Sequence, residues 1–397
     1  MSKKSIYFKA LLVFLFLSAG VVQGRQKTPW KGTLEIDKGI RVIKNPAEPL
    51  YGDIKLDLQE ELSIGSKSSA EYAFHLISDV KSDNQGNIYI ADTKNLRVQK
   101  FDSNGKYIKT LGKGVDKFQQ PSKIEIDKTS ENIFIRASLQ DIEIFDGKDQ
   151  YKNGVHLKKN PTRGDFVVGY PTVITYFRPI DSDHVMAILG VEYHYKNSRV
   201  IRSIFRLDSN SNPKSLSKEY LHYALVDDGY GGWDATGTDF EPDLYLAKID
   251  EKSYICGYSK EYELNVFDSE GKILYRIKKN SSRPIFTKEE RKRFRLDPVP
   301  EFKAYFYNLL TDSKGRIYVQ RNITKGFLNA VQENTNREVD IFSKDGYFLY
   351  TSTLPPNTCE IKDGFLYAYS VSGASGLESV KRQKIKNWDN INERIDQ

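Results

Sequence analysis

The stretch Asp83-Asn-Gln-Gly-Asn-Ile-Tyr-Ile90 decides the fold, because its pattern occurs six times. An Asp opens it, a short polar turn follows, and an apolar strand ends it. The same order returns at Asp127 to Ile135, Asp181 to Ile188, Asp250 to Tyr258, Asp312-Ser-Lys-Gly-Arg-Ile-Tyr-Val319 and Asp363-Gly-Phe-Leu-Tyr-Ala-Tyr-Ser370. A second segment trails the first: a strand ending in Phe, then a tight turn. Phe101-Asp-Ser-Asn-Gly-Lys106, Phe267-Asp-Ser-Glu-Gly-Lys272 and Phe342-Ser-Lys-Asp-Gly-Tyr347 are the clear copies. Gly late in these turns supplies the positive φ that hairpins need. Two copies, Phe145-Asp-Gly-Lys148 and Leu207-Asp-Ser-Asn-Ser211, are degraded.

Each unit therefore reads as a four-stranded antiparallel meander. Its strands are apolar on both faces: in Ile88-Tyr89-Ile90-Ala91 successive side chains point to opposite sides, yet none is charged. A sheet solvated on one face would alternate instead. Both faces need cover, which a blade standing between two other blades obtains, and radial repetition leaves few long edges exposed. A β-sandwich would use similar hairpins, but regular strand-rich repeats favour a propeller. The expected fold is all-β, a six-bladed β-propeller of four-stranded antiparallel blades. The sixth repeat ends at Leu377 to Lys386 with no later strand. Residues 53–64, strand-like and ahead of the first repeat, are expected to complete the last blade.

The run Gly86-Asn-Ile-Tyr-Ile-Ala-Asp-Thr-Lys-Asn-Leu-Arg-Val-Gln-Lys-Phe-Asp102 closely resembles an NHL repeat. From about residue 45 to 388 the chain is similar to bacterial six-bladed propeller proteins of unassigned function. Asn45-Pro-Ala-Glu-Pro-Leu-Tyr-Gly52 and Lys384-Ile-Lys-Asn-Trp388 are part of that likeness. Only the first blade matches the NHL pattern well. The resemblance implies the fold, export and binding, and implies no catalytic residue.

The N-terminus reads as a targeting segment. Lys3, Lys4 and Lys9 precede an uncharged apolar run, Ala10 to Val22, that ends in small residues. Its length suits a signal peptide, since a membrane span needs about 20 apolar residues. The expected organisation is a signal peptide over 1–24, a lead-in over 25–52, the propeller over 53–388 and a tail over 389–397. The expected location is secreted or periplasmic, and the expected form a monomer. Removing residues 1–24 lowers the net charge from +7 to +4. The remaining basic residues are scattered, and the one cluster, Lys288 to Arg293, is broken by Glu289 and Glu290. This is no footprint for nucleic acid.

Catalytic signatures are missing from the sequence. The five His, at 75, 156, 184, 194 and 222, form no pair with metal-ligand spacing. There is no phosphate loop, nucleophile elbow or calcium loop. Cys256 and Cys359, the two cysteines, fall in different blades and are expected as free thiols. Propellers bind at the mouth of the central channel. The polar positions expected there, near the starts of the innermost strands, are Asp79, Lys123, Arg178, Asp243, Asn308 and Glu360. The stretch Ser217 to Glu241, with Tyr220, Tyr223, Tyr230, Trp233 and Phe240, reads as a long loop between blades three and four. Tyr230 and Trp233 are expected to join Arg178 as a stacking and hydrogen-bonding surface. A short helix at Thr287 to Arg295 and a polar insertion around Arg321 to Arg337 are further expectations.

Two functions follow from these residues. The first is an exported binding or scaffolding module for a protein, peptide or glycan, with no cofactor. The second is a channel-centred, metal-dependent lyase or lactonase-type hydrolase, in which Asp79, Asn308 and Glu360 would hold an ion such as calcium. Without a catalytic constellation the first is preferred, because a fold alone does not assign chemistry.

Overall fold

The computed structural model describes residues 29–65, 69–112, 118–157, 172–193, 199–208, 213–227, 233–235, 242–288, 302–321, 336–371, 376–393 and 395. Among them the strands form six sheets, and the sheets form a ring of blades. Blade one is Ile77–Ser82, Ile88–Asp92, Arg97–Phe101 and Tyr107–Leu111, paired in that order. Lys123–Ile126, Val173–Pro179, Leu244–Lys248, Phe306–Thr311 and Thr358–Lys362 are the corresponding first strands of blades two to six. Each first strand packs beside the next, and that of blade six packs beside that of blade one, so they encircle the axis.

The repeated Asp has a local cause. The Asp83 carboxylate accepts the backbone N–H groups of Gln85 and Asn87, at 3.0 and 2.8 Å. Asp312 does the same for Lys314 and Arg316, at 2.9 and 3.0 Å. Asp102, Asp146 and Asp268 cap the outer turns identically. An Asp side chain that satisfies turn N–H groups fixes the hairpin before any distant contact forms.

The core lies between blades. Ile88 and Ile90 pack with Tyr367 and Val380 of blade six. Their neighbours Tyr89 and Ala91 pack with Ile124, Ile133 and Ile135 of blade two. Four more apolar clusters fill the remaining gaps. Each fully buried Ile or Tyr there contributes about 2 kcal/mol, which explains why both faces of the strands are apolar. Cys256 is buried and Cys359 half-buried, and both are free thiols.

Three regions differ from the simple repeat. Leu58–Ile64 pairs antiparallel with Glu378–Ile385 as the fourth strand of blade six. Asp53 and Ile54, just before it, lie instead along the outer strand of blade five, bonded to Thr351. In the lead-in, Thr33–Asp37 and Ile40–Asn45 form a hairpin whose second strand pairs parallel with Ile273–Lys279 at the rim of blade four. The N-terminal segment thus runs along the outer edges of blades four, five and six. At the other end, Trp388 and Ile391 are buried, so the tail begins packed rather than free.

Blade three corrects the reading of Ser217 to Glu241 as a loop. Tyr220–Asp227 is a strand paired with Arg199–Asp208, and Trp233–Ala235 pairs outside it. The second and third strands of this blade are ten residues long. Lys214–Ser215 covers one end of that edge and the β-prone Tyr-Leu-His-Tyr run covers the other.

Candidate functional site

The first strand of each blade begins at one rim of the ring and ends at the other. A cavity of about 120 Å³ opens on the axis at the rim where these strands end. Lys81, Glu125, Arg178, Lys248, Glu360 and Lys362 line it, together with Asp312 from the inner turn of blade five.

These charges are bonded to one another across the blades. The Arg178 guanidinium donates to Glu125 at 2.7 Å. Lys81 stands 3.9 Å from the same carboxylate and donates to the Cys359 carbonyl at 3.0 Å. Ser82 donates to Glu360 through its N–H, at 2.8 Å, and its hydroxyl, at 2.6 Å. Lys362 donates to the carbonyls of Ser82 and Asp83, and Lys248 pairs with Asp127 and Glu251. Asp312 is held from behind by Arg316, whose fully buried side chain lies 4.0 Å over the Trp388 ring and donates to the Ile391 carbonyl. The result is a polar collar joining blades six, one, two, three and four.

Electrostatics divide its carboxyl groups. Burial pushes Glu360 above the ordinary glutamate range, against the pull of Lys81 and Lys362. Burial also acts to raise Asp79, but Lys123, Lys81 and the N–H groups of Ile124 and Val80 hold it below the usual range. Burial acts to lower Lys81, yet Glu125, Asp79 and Glu360 raise it above an ordinary lysine. Burial pushes the Cys359 thiol up to about 12.

The residues singled out from the sequence separate into groups. Arg178 and Glu360 line the axial cavity together; Asp79, Lys123 and Asn308 are not among its lining residues. Asp79 is buried and accepts the N–H groups of Val80, at 3.0 Å, and of Ile124 in blade two, at 3.1 Å. Asn308 accepts from Leu309 at 2.9 Å and donates to Gln320 at 3.0 Å. Both residues follow a register shift in their strands. A bulge leaves a backbone N–H without its ladder partner, and the polar side chain supplies one. Lys123 begins its strand, with its ammonium 3.9 Å from Asp79. Asp243 accepts from the Leu244 N–H and from Arg202.

Arg178 lies late in its strand, the sixth of seven residues, which corrects its expected place near the start. Trp233 lies on the outermost strand of blade three, four strand positions from the inner one. At roughly 4.8 Å per step that is about 19 Å across the sheet. Tyr230 and His194 lie outside the described residues, as does most of each expected insertion, 289–301 and 322–335. Asp79, Asn308 and Glu360, the conjectured ion ligands, are each committed to neighbouring backbone, and no group of three His, Cys, Asp or Glu among the described residues is placed to hold a metal ion. Sequence reasoning missed Lys81, Glu125, Lys248 and Lys362. Their signal was present: each stands at or next to the end of an inner strand, one or two positions before the Asp that leads the turn.

A family model and one solved structure agree with the fold. The family model for the NHL repeat matches residues 74–101. No curated protein sequence matches the chain. Among solved structures, a member of the DUF4221 family from Bacteroides vulgatus is similar over 83% of this chain and 98% of its own, with a TM-score of 0.50 and 8% identity. The β-propeller domain of Swd1 from Myceliophteria thermophila is similar over 83% of this chain and 100% of its own, with a TM-score of 0.41 and 10% identity. The chain is a six-bladed propeller with an NHL repeat in its first blade.

Proposed function

We propose that this propeller is an exported binding module that recognises a polar part of a protein, peptide or glycan at the axial mouth where its inner strands end. One observation carries the reading: all six blades send charged side chains to a single small cavity, with Arg178 and Glu360 on its wall. Small sites of this kind obtain specificity from a few placed polar groups. Arg178 offers a planar fork suited to a carboxylate or to paired hydroxyls. The signal-like character of residues 1–24 supports export. No helix among the described residues is long and apolar enough to cross a membrane.

The test is a binding screen of the purified mature chain against peptide and glycan arrays, repeated with Arg178→Lys and Lys248→Gln. Arg178→Lys keeps the charge and removes the fork. A ligand of the mouth loses about tenfold or more in affinity to one of these variants, the size expected for a binding anchor. A ligand indifferent to both binds elsewhere, and the mouth reading then fails for it.

A further inference from the structure

At the opposite rim, where the inner strands start, a second cavity of about 510 Å³ lies between blades one and two. Its volume is in the range of ligand clefts. Leu76, Leu96 and Leu139 wall it and are 45%, 50% and 48% exposed. Thr93, Lys94, Gln119, Gln120, Ser138 and Gln140 complete the lining.

Two of the leucines stand where the backbone disfavours a side chain. Leu76 and Leu96 have positive φ, 65° and 53°. That conformation costs a residue with a Cβ free energy, while Gly or Asn adopts it readily. Neither residue is buried enough to offset the cost through packing. The backbone beneath is held firmly: Thr93 N–H donates to the Leu76 carbonyl at 3.1 Å, Lys94 to His75 at 3.1 Å, and Leu96 to Thr93 at 3.2 Å. Strain retained in a well-held backbone is a mark of functional surfaces.

The polar rim points the same way. Gln119 and Gln120 spend their backbone N–H groups on the Ala137 carbonyl, at 2.9 and 2.8 Å. Both side chains are exposed, and no side-chain hydrogen bond is made by either among the described residues. Lys94 is exposed and likewise has no ion pair among the described residues. It is the one charged residue of the lining.

We propose that this groove binds an extended peptide segment of a partner protein, with apolar side chains seated among the leucines and a single acidic group facing Lys94. Each of the two carboxamides offers N–H donors and an acceptor oxygen, which can pair with the C=O and N–H of a peptide unit. A lipid chain would cover both carboxamides without pairing them, which is unfavourable. The lone ammonium complements one negative charge and selects against basic segments.

The experiment measures fluorescence polarisation of labelled synthetic decapeptide pools. In one pool, positions are drawn from Leu, Val, Ile, Phe and Ser around a fixed Glu; a matched pool carries Gln at that position. Sodium laurate serves as an apolar anion that is not a peptide. The expected result is binding of the Glu pool by the parent chain, weakened about tenfold or more by the combined Leu76→Asn, Leu96→Asn and Leu139→Asn variant. Lys94→Gln is expected to abolish the preference for the Glu pool over the Gln pool. If the triple variant does not fold, Leu139→Asn alone replaces it, with about a fivefold loss expected. Arg178→Lys is expected to bind the pools as the parent does, so failure here is separable from failure at the axial mouth. The proposal is overturned if neither pool binds, if the leucine variant binds as the parent does, if Lys94→Gln keeps the preference, or if laurate binds while the pools do not.

Discussion

At the rim where the inner strands end, Lys81, Glu125, Arg178 and Glu360 are bonded to one another or to backbone groups of the next blade. At the rim where they start, Leu76, Leu96 and Leu139 face solvent beside Lys94, Gln119 and Gln120. The difference concerns what a ligand must do. A ligand at the mouth has to replace bonds that already exist, so it gains only if its geometry is better than the collar's own. That favours selectivity over strength. A ligand in the groove covers apolar surface and meets Lys94, Gln119 and Gln120, whose side chains make no hydrogen bond or ion pair among the described residues. There the gain is new contact, and affinity follows from how well it is shaped.

The comparison predicts unequal costs of mutation. The largest should come from Arg316→Ala, behind the mouth. It leaves the buried Asp312 carboxylate without its cation and empties the space over Trp388. Breaking a buried pair from one side costs about 3–5 kcal/mol, read as a lower midpoint in urea unfolding. A loss under about 1 kcal/mol would show that the collar is not braced in this way.

Arg178→Ala should cost less, about 2 kcal/mol, because Glu125 keeps Lys81 nearby. Adding Glu125→Gln should recover part of that loss. A double-mutant cycle with no coupling would mean the two groups are bonded in name only.

The third prediction uses protons. Asp79 is held below its usual pKa of 3.8 in the folded chain. Its stabilisation is therefore present above that value and is lost as pH falls through the folded pKa. Glu360 lies above 4.5 when folded. The folded state holds its proton more tightly, so stability falls as pH rises from 4.5 through the folded value. Each slope is bounded at about 1.4 kcal/mol per pH unit. Asp79→Asn should remove the first slope and Glu360→Gln the second, in urea unfolding measured across pH 2–8. Two slopes of the same sign would contradict the opposed environments of these carboxyl groups.

The smallest effect should be at the groove. Leu139→Asn should change stability by no more than about 0.5 kcal/mol, as for an exposed site. Leu96→Asn should be neutral or slightly stabilising, because Asn accepts positive φ. A loss above about 1.5 kcal/mol in either would mean that the leucines serve packing, and would weaken the contrast between the rims.

Much of the ring was legible in the chain. Asp-led turns bond within four residues, and strands with two apolar faces state that both faces are covered. Such local, repeated signals need no knowledge of distant neighbours. The candidate site was legible only in part. Asp79, Asn308 and Glu360 look alike when repeats are aligned, and a one-residue bulge decides which side chain caps a backbone N–H. Glycine-rich, aromatic residues after Ser217 read as a loop because the long strands of blade three that accept Tyr220–Asp227 are not visible in composition.

By itself, then, the sequence determined the repeat, its number and the two-sided cover of each strand, since hairpins close locally. Only the tertiary structure decided that Arg178 meets Glu125 fifty-three residues away, that Ser82 meets Glu360 across the ring, and that two blades leave a leucine-walled groove between their loops. Those encounters depend on how blades are rotated against one another. That rotation is set by the apolar packing of whole faces, in which no single residue carries a readable mark.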